Sequence, residues 1–220
     1  MCRAWFVLLV LAAAVPASAQ TVDRLPWFAA DLQGAWVGMP TAEGWVPTVS
    51  ATTPLPGRAW GLAGGATAYP LKLGIMTLGL GLSMHSGKST SAPLMSTATA
   101  TKPAVPTTTA VTTQITSLLP QVSINFGHRL GWSYLSAGVG RSKVVSSSEA
   151  FGTLPTQEVP EAWNSALNFG GGARWFMKPH LGAGFDVRFT KLSSRAATAV
   201  QPVFGKRTQM VTLSVGISIQ

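Results

Sequence analysis

The segment 168–192 alternates between two kinds of side chain and contains one tight turn, at Met177, Lys178 and Pro179. Its second arm places apolar or small residues on one face, namely Leu181, Ala183, Phe185, Val187 and Phe189. The opposite face carries Gly182, Gly184, Asp186 and Arg188. A period of two residues is typical of a β-strand with two unlike faces. The segment is therefore predicted to be a β-hairpin.

Residues 1–19 have the features of a secretory signal peptide. An apolar run from Trp5 to Val15 is followed by Ala17 and Ala19, whose small side chains fit a signal peptidase site. The alternative is an N-terminal membrane anchor, but the run is much shorter than the ~20 residues of a spanning helix. The single cysteine, Cys2, precedes the run. The mature chain, residues 20–220, is therefore expected to contain neither a disulfide nor a thiolate metal site.

The composition is unusual for a soluble domain. Charged residues make up 10% of the chain, glycine contributes 23 residues and the mean hydropathy is +0.29, although no apolar run of spanning length follows residue 15. Strands that cross a lipid bilayer explain this combination, because only alternate residues face the hydrocarbon. The net charge of +9 could indicate nucleic-acid binding, but the basic residues are scattered singly. We therefore expect no nucleic-acid partner.

Eight segments of the mature chain show the same alternation. They are 27–37, 58–69, 72–84, 115–127, 132–143, 163–176, 180–192 and 209–220. Short turns alternate with long connections at 39–57, 86–113, 144–161 and 193–208. Pro70 is expected to end the second strand. The connection 86–113 consists mainly of Ser, Thr, Ala and Pro, so it is predicted to be a low-complexity, mobile surface loop.

These features predict an all-β domain over residues 20–220, an eight-stranded antiparallel up-and-down transmembrane β-barrel. An even strand number, short turns on one rim and long loops on the other are typical of bacterial outer-membrane barrels. The alternative is a soluble β-sandwich or a lipocalin-like barrel, whose apolar face would turn inward. Here the polar face is built mainly from small residues, which suit a narrow barrel interior better than a soluble exterior. The expected location is the bacterial outer membrane.

Three groups of residues are candidates for functional positions in such a barrel. A polar cluster in the lumen is predicted to contain Asp31, Asn168, Arg174, Asp186 and Arg188. Aromatic residues near strand ends are predicted to form interfacial girdles, and they are Trp27, Phe28, Trp36, Trp60, Tyr69, Phe126, Trp132, Trp163, Trp175 and Phe176. Basic residues expected at the outer rim are Lys88, Lys102, Arg141, Lys143, Arg195, Lys206 and Arg207.

The chain resembles the small outer-membrane β-barrel proteins of the OmpA-membrane-domain and OmpX type. The resemblance is carried by the segments 170–176, 179–182 and 186–189, by 134–140, and by the alternating final strand. It implies the barrel fold, insertion by the barrel-assembly machinery and a monomeric state. The chain departs from the family at its last two residues, Ile219 and Gln220, because members commonly end on an aromatic residue. We expect no further domain after the barrel, so peptidoglycan anchoring is not implied.

The residues leave three functions open. The lumen cluster is either a set of ion pairs that fills a narrow barrel or a polar constriction on a water path, and the first is favoured because eight strands enclose little space. A hydrolase would need a histidine beside a serine with an orienting carboxylate, and His85 and Ser86 have no acid nearby in sequence. No metal-ligand spacing and no phosphate loop is present, so no cofactor is expected.

The sequence therefore predicts a non-enzymatic outer-membrane protein with a structural, adhesion or surface-interaction role. The outer-rim cations are expected either to contact lipid phosphates, including those of lipopolysaccharide, or to be solvated loop charges. The alternatives are a narrow porin-like channel for small solutes and a lipid-modifying enzyme.

Overall fold

A computed structural model describes residues 25–47, 49, 52–99, 102–150, 152, 155–159, 161–196 and 205–220. The predicted signal peptide, residues 1–19, lies outside this part of the chain. The strands are β1 Phe28–Gly38, β2 Arg58–Leu73, β3 Met76–Ser91, β4 Val111–His128, β5 Gly131–Ser148, β6 Gln157–Val159, β7 Trp163–Lys178, β8 Leu181–Leu192 and β9 Thr208–Ile219. None of the described residues belongs to a helix that is long and apolar enough to span a membrane.

The strands form one closed antiparallel barrel. Each long strand pairs with its neighbours in the sequence, and the barrel closes where β1 pairs with β9, for example Leu32 with Ile217. The three-residue strand β6 pairs with β5 beyond the end of the β5–β7 ladder, so β6 continues the line of β7. Because β6 and β7 occupy the same position in the wall, the barrel has eight strands around its circumference. The predicted eight-stranded up-and-down barrel is confirmed.

The strands extend further on the long-loop side than the sequence predicted. β3 continues to Ser91 and β4 begins at Val111, which shortens the predicted loop 86–113 to residues 92–110. Cross-strand hydroxyl contacts support this extension, because Thr90 Oγ1 lies 2.8 Å from Thr112 Oγ1. β2 also continues through Pro70 to Leu73, since a register shift between Ala68 and Leu71 accommodates the proline. Pro70 therefore does not end the strand.

The apolar face of the barrel points outward. Leu135, Val139 and Val215 are 65%, 68% and 67% exposed, whereas the alternate positions Ser136, Asp186 and Ser214 are buried. This arrangement is the reverse of a soluble barrel and is the one that a lipid environment favours. The hairpin at 168–192 follows it, with Phe185 and Val187 on the outer wall and Asp186 and Arg188 inside.

The barrel interior is divided into three layers. An aromatic layer lies at the short-turn end and contains Tyr69, Trp132, Tyr134 and Phe176. A polar layer occupies the middle and contains the charged pairs described below. An apolar layer closes the long-loop end and contains Ala35, Val37, Met39, Trp45, Ala59, Ile115, Leu119, Val144, Ala166, Leu192 and Met210. Small strand residues leave room for these side chains within the narrow wall.

Candidate functional site

The polar layer contains a buried ion pair between Arg174 on β7 and Asp31 on β1. The guanidinium Nε and Nη2 atoms donate to the two carboxylate oxygens at 2.9 and 2.5 Å. A third guanidinium nitrogen donates to the Tyr69 hydroxyl at 3.2 Å, and Ser218 Oγ donates to Asp31 at 2.6 Å. The guanidinium also lies 4.4 Å from the ring centre of Tyr134. Such a bidentate pair is a strong, geometrically specific contact, and it connects opposite parts of the wall.

A second buried pair joins Arg188 and Asp186 on the inner face of β8. Arg188 Nη2 donates to the Asp186 carboxylate at 2.8 Å, and the Tyr134 hydroxyl donates to the same oxygen. Arg188 Nη1 donates to the Gln121 side chain and, at 3.2 Å, to Ser136 Oγ. Both charges are therefore paired, as burial of charge requires, but the hydrogen bonds to Asp186 all reach Oδ2, and Oδ1 has no hydrogen-bond partner among the described residues.

Asn168 is the one member of the predicted lumen cluster that joins neither pair. Its side chain is fully buried. Its backbone pairs with Gly138 of β5 on one side and with Thr190 of β8 on the other. Among the described residues its amide atoms have no hydrogen-bond partner. The structure thus places all five predicted residues inside the barrel and assembles four of them into two ion pairs.

The space left between these side chains is small. The lumen contains a cavity of about 30 Å³, lined by both ion pairs together with polar groups such as His85 and Thr212. Since a buried water needs roughly 10 to 15 Å³, this cavity has room for about two.

Three predicted girdle residues lie inside the barrel, so their assignment to the girdle is wrong. Tyr69, Trp132 and Phe176 are 8%, 2% and 6% exposed. Trp132 stacks on Phe176 with ring centres 5.0 Å apart and meets Tyr69 edge to face at 5.8 Å. The physical reason is alternation: Trp175 faces outward, so its neighbour Phe176 must face inward. The remaining aromatic residues, Trp27, Phe28, Trp36, Trp60, Phe126, Trp163 and Trp175, are exposed or partly exposed, and their role as a girdle stays a prediction.

Trp45 closes the long-loop end of the lumen, a position that no feature of the sequence predicts. The residue belongs to the connection between β1 and β2, yet its side chain is fully buried in the apolar layer. Its indole Nε1 donates to the backbone oxygen of Lys206 at 2.7 Å. Lys206 lies in the connection between β8 and β9, so one tryptophan joins two loops over the mouth. No local periodicity marks a residue that folds inward from a loop.

The outer-rim basic residues occupy different environments. Lys88, Arg141 and Lys143 lie on the outer wall, and Lys102, Lys206 and Arg207 are exposed in the loops. Lys143 pairs with Glu161 and lies 5.7 Å from the ring centre of Trp163. Arg195 is instead 4% exposed, so its predicted position at the lipid-facing rim is wrong. Its backbone pairs with Gly205, and burial lowers the pKa of its guanidinium.

The pairing of His85 with Ser86 that a hydrolase would need is not formed. The two are consecutive residues of β3, so their side chains point to opposite faces of the wall. His85 is 3% exposed inside the barrel, whereas Ser86 contacts Thr116 Oγ1 on the outside at 3.3 Å. No group of three or more metal-ligating side chains occurs among the described residues.

An outward apolar wall, a polar interior and closure without a free edge together define a small transmembrane β-barrel of the outer-membrane type. No protein-family model and no curated protein sequence matches the chain. Among solved structures it is similar to Neisserial surface protein A (NspA), with 13% identity over 87% of this chain and 94% of that one, and a TM-score of 0.41. Ail, the attachment invasion locus protein of Yersinia pestis, has 11% identity over 87% and 95%, with a TM-score of 0.48. The outer membrane protein AlkL has 15% identity over 93% and 94%, with a TM-score of 0.40. These neighbours are small eight-stranded outer-membrane barrels. At these identities the similarity concerns the fold alone.

Proposed function

We propose that the protein is a non-enzymatic outer-membrane barrel that does not conduct solutes and that acts through its outer surface. The observation that carries this proposal is the filled lumen. Arg174 and Asp31 span the interior, Trp45 lies in the apolar layer above them, and the cavity between has about 30 Å³. A conducting barrel needs a continuous aqueous channel, which larger barrels of many more strands possess. Because side chains occupy the interior, the wall, the rims and the loops are the surfaces through which this barrel contacts other molecules.

The outer wall supports placement in a bilayer. The outward residues of β3 from Met76 to Met84 are apolar, and Ser86 begins the polar part of the wall. Eight residue steps of about 3.3 Å at a tilt of about 40° give an apolar height of roughly 20 Å. This height approaches the ~25 Å apolar band of outer-membrane barrels. Insertion by the barrel-assembly machinery and a monomeric state belong to the same proposal.

The long-loop rim supports contact with anionic lipid head groups. Lys88 and Arg141 are exposed on the outer wall and have no ion-pair partner among the described residues. Arg141 pairs in register with Leu118, which is 43% exposed, so this cation lies where the apolar wall gives way to polar residues. Above it the wall carries hydroxyl groups, including Ser86, Thr90, Thr112 and Thr116. Cations and hydroxyls at this level suit the phosphates and sugars of lipopolysaccharide.

Planar-bilayer recording tests the closed lumen. Purified protein is added to a bilayer under voltage, and a large open porin serves as the positive control in the same lipid. We expect no reproducible discrete current steps from the wild-type protein. Reproducible steps of constant size would instead support the alternative of a narrow channel for small solutes.

A heat-shift assay tests the membrane barrel itself. Folded outer-membrane barrels migrate differently on a detergent gel before and after boiling, because the closed sheet resists unfolding by detergent at room temperature. We expect such a shift and expect the mature protein to require detergent for solubility. A protein that stays soluble without detergent would contradict the proposal.

Binding of lipopolysaccharide tests the outer rim. The double variant K88Q/R141Q removes two exposed charges from the wall, and it is compared with K72Q/K178Q, which removes two from the opposite rim. We expect weaker binding of lipopolysaccharide micelles for the first variant and wild-type binding for the second. Equal binding by both variants would contradict the proposed head-group contact.

A further inference from the structure

The three short turns of the barrel each expose an apolar side chain next to a cation. Ile75 lies at the tip between β2 and β3 and is 87% exposed, Leu130 between β4 and β5 is 59% exposed, and Met177 near the β7–β8 turn is 78% exposed. Lys72, Arg129 and Lys178 accompany them and are exposed. The same pairing of an apolar residue with a cation thus recurs on three separate hairpins around one rim.

This rim carries positive charge that the described residues do not balance. Asp31 and Asp186 are inside the barrel, and Glu43, Glu149, Glu158 and Glu161 belong to the long-loop end. No acidic side chain of the described residues lies at the short turns, and none forms an ion pair with Lys72, Arg129 or Lys178. The rim therefore offers three exposed cations to a negatively charged surface.

The exposed apolar residues continue the lipid-facing wall. Leu73 and Met76 are paired across the β2–β3 turn, and Met76 also pairs with Phe126 on the outer wall. Ile75 lies one step beyond this pair, so the apolar surface extends past Phe126 to the tip of the hairpin. Trp27 is 85% exposed at the same rim, where an indole suits the membrane interface. Exposed apolar side chains at this level gain burial only if the rim meets lipid.

We propose that the short-turn rim docks onto the leaflet on its own side, with Ile75, Leu130 and Met177 at the acyl-chain boundary. Lys72, Arg129 and Lys178 bind the phosphates of anionic phospholipids there. The proposal rests on the transmembrane placement described above and adds a lipid-binding ring at the rim opposite the lipopolysaccharide surface.

The distribution of these residues favours a lipid leaflet over a protein partner. A protein interface is a contiguous patch with a packed apolar centre. Here the apolar residues lie on three neighbouring hairpins that together extend around six of the eight long strands, and each has its own cation. A leaflet surrounds the barrel and meets all three turns at once. Its phosphates lie at the depth that the charged ends of lysine and arginine reach when their aliphatic stems lie along the acyl chains.

Fluorescence quenching by brominated lipid tests the depth of the rim. A bimane label is attached to I75C in the mature protein, with V215C as the control on the middle of the outer wall. Both are reconstituted in vesicles of phosphatidylcholine and phosphatidylglycerol brominated near the head-group end of the acyl chains. We expect both labels to be quenched. Quenching at V215C without quenching at I75C would overturn the docking of the rim and leave the membrane barrel intact, as an aqueous rim or a protein partner predicts. A lack of quenching at both positions would contradict the membrane placement itself.

The preference of the barrel surface for anionic lipid tests whether Lys72, Arg129 and Lys178 bind phosphates. Spin-labelled phosphatidylglycerol and spin-labelled phosphatidylcholine are compared for the fraction of lipid immobilised at the barrel surface, at low ionic strength. We expect a severalfold preference of the wild-type protein for the anionic lipid and a loss of most of it in K72Q/R129Q/K178Q. The triple variant K102Q/K206Q/R207Q removes the same charge from exposed loop residues at the opposite end, beyond the wall, and is expected to retain most of the preference. A preference that survives in the first variant, or that is lost equally in both, would overturn the proposed site.

Discussion

Arg174 of β7 and Asp31 of β1 are 143 residues apart in the chain and are joined by hydrogen bonds of 2.9 and 2.5 Å. Their strands are not neighbours in the wall, because β8 and β9 lie between them. The pair therefore crosses the lumen and connects two strands that share no backbone hydrogen bonds. The pair lines a cavity of about 30 Å³, which supports the proposal that the lumen does not conduct.

Removal of Arg174 should destabilise the barrel strongly. We expect R174M to lower the free energy of unfolding by about 3 to 5 kcal/mol, because it leaves the Asp31 carboxylate buried without its cation. Urea titration of the protein in lipid vesicles, followed by heat-shifted gel mobility, measures this change. The double variant D31L/R174M should recover much of the loss, since both charges are then absent. Equal destabilisation in the single and double variants would contradict a specific pair.

A methyl group at Gly172 should disturb the second pair. A β-carbon at this position would lie 2.1 Å from the backbone oxygen of Phe185 and 2.9 Å from the Tyr134 hydroxyl, which donates to Asp186. We expect G172A to cost about 1 to 3 kcal/mol in the same titration, because the packed interior must shift. Gly57 has no heavy atom within 4 Å of such a carbon, so G57A is the control and should unfold like the wild type.

Truncation of Trp45 should open the long-loop end. The side chain is fully buried among the apolar layer, so W45A is expected to cost about 3 to 5 kcal/mol and to expose the 39–57 and 193–207 connections. Limited proteolysis of the reconstituted protein reads out this change as faster cleavage in both connections. W27A removes an indole that is 85% exposed and provides the control. Unchanged cleavage in W45A would show that Trp45 does not hold the two connections together.

Substitution of His85 should leave the lipids of the membrane unchanged. His85 faces the lumen while Ser86 faces outward, so the two cannot act together on a lipid ester. We expect cells that produce H85A to have the same lipid A composition, by mass spectrometry, as cells that produce the wild type. A difference that depends on His85 would support the enzymatic alternative.

The alternation of side chains predicted the fold because each step of two residues along a strand repeats the same environment. The final strand shows this most clearly, since Val211, Leu213 and Val215 face outward and Thr212 and Ser214 inward, as expected. Alternation also predicts that Phe176 faces inward, because its neighbour Trp175 faces outward. Proximity to a strand end does not decide which way an aromatic side chain points, and for this reason the girdle prediction is wrong for Tyr69, Trp132 and Phe176.

Side-chain contacts across the lumen could not be predicted in the same way. The sequence placed Asp31, Arg174, Asp186 and Arg188 inside the barrel, but their partners depend on barrel tilt and stagger, which bring distant strands face to face. Tyr134 and Gln121 enter the network for this reason. Strand extension beyond the predicted ends similarly depends on pairing, since Ser and Thr residues join a ladder when a partner strand is already beside them.

By itself, the sequence determined how many strands form the wall and, along the middle of each strand, which residues face outward and which face inward, because these properties follow from a local repeat of two residues. Only the tertiary structure decided how the lumen is filled. Trp45 and Arg195 belong to loops but are buried, and Arg174 forms its ion pair with Asp31 across the lumen. These placements arise from closure of the sheet, which brings together side chains that no local pattern relates.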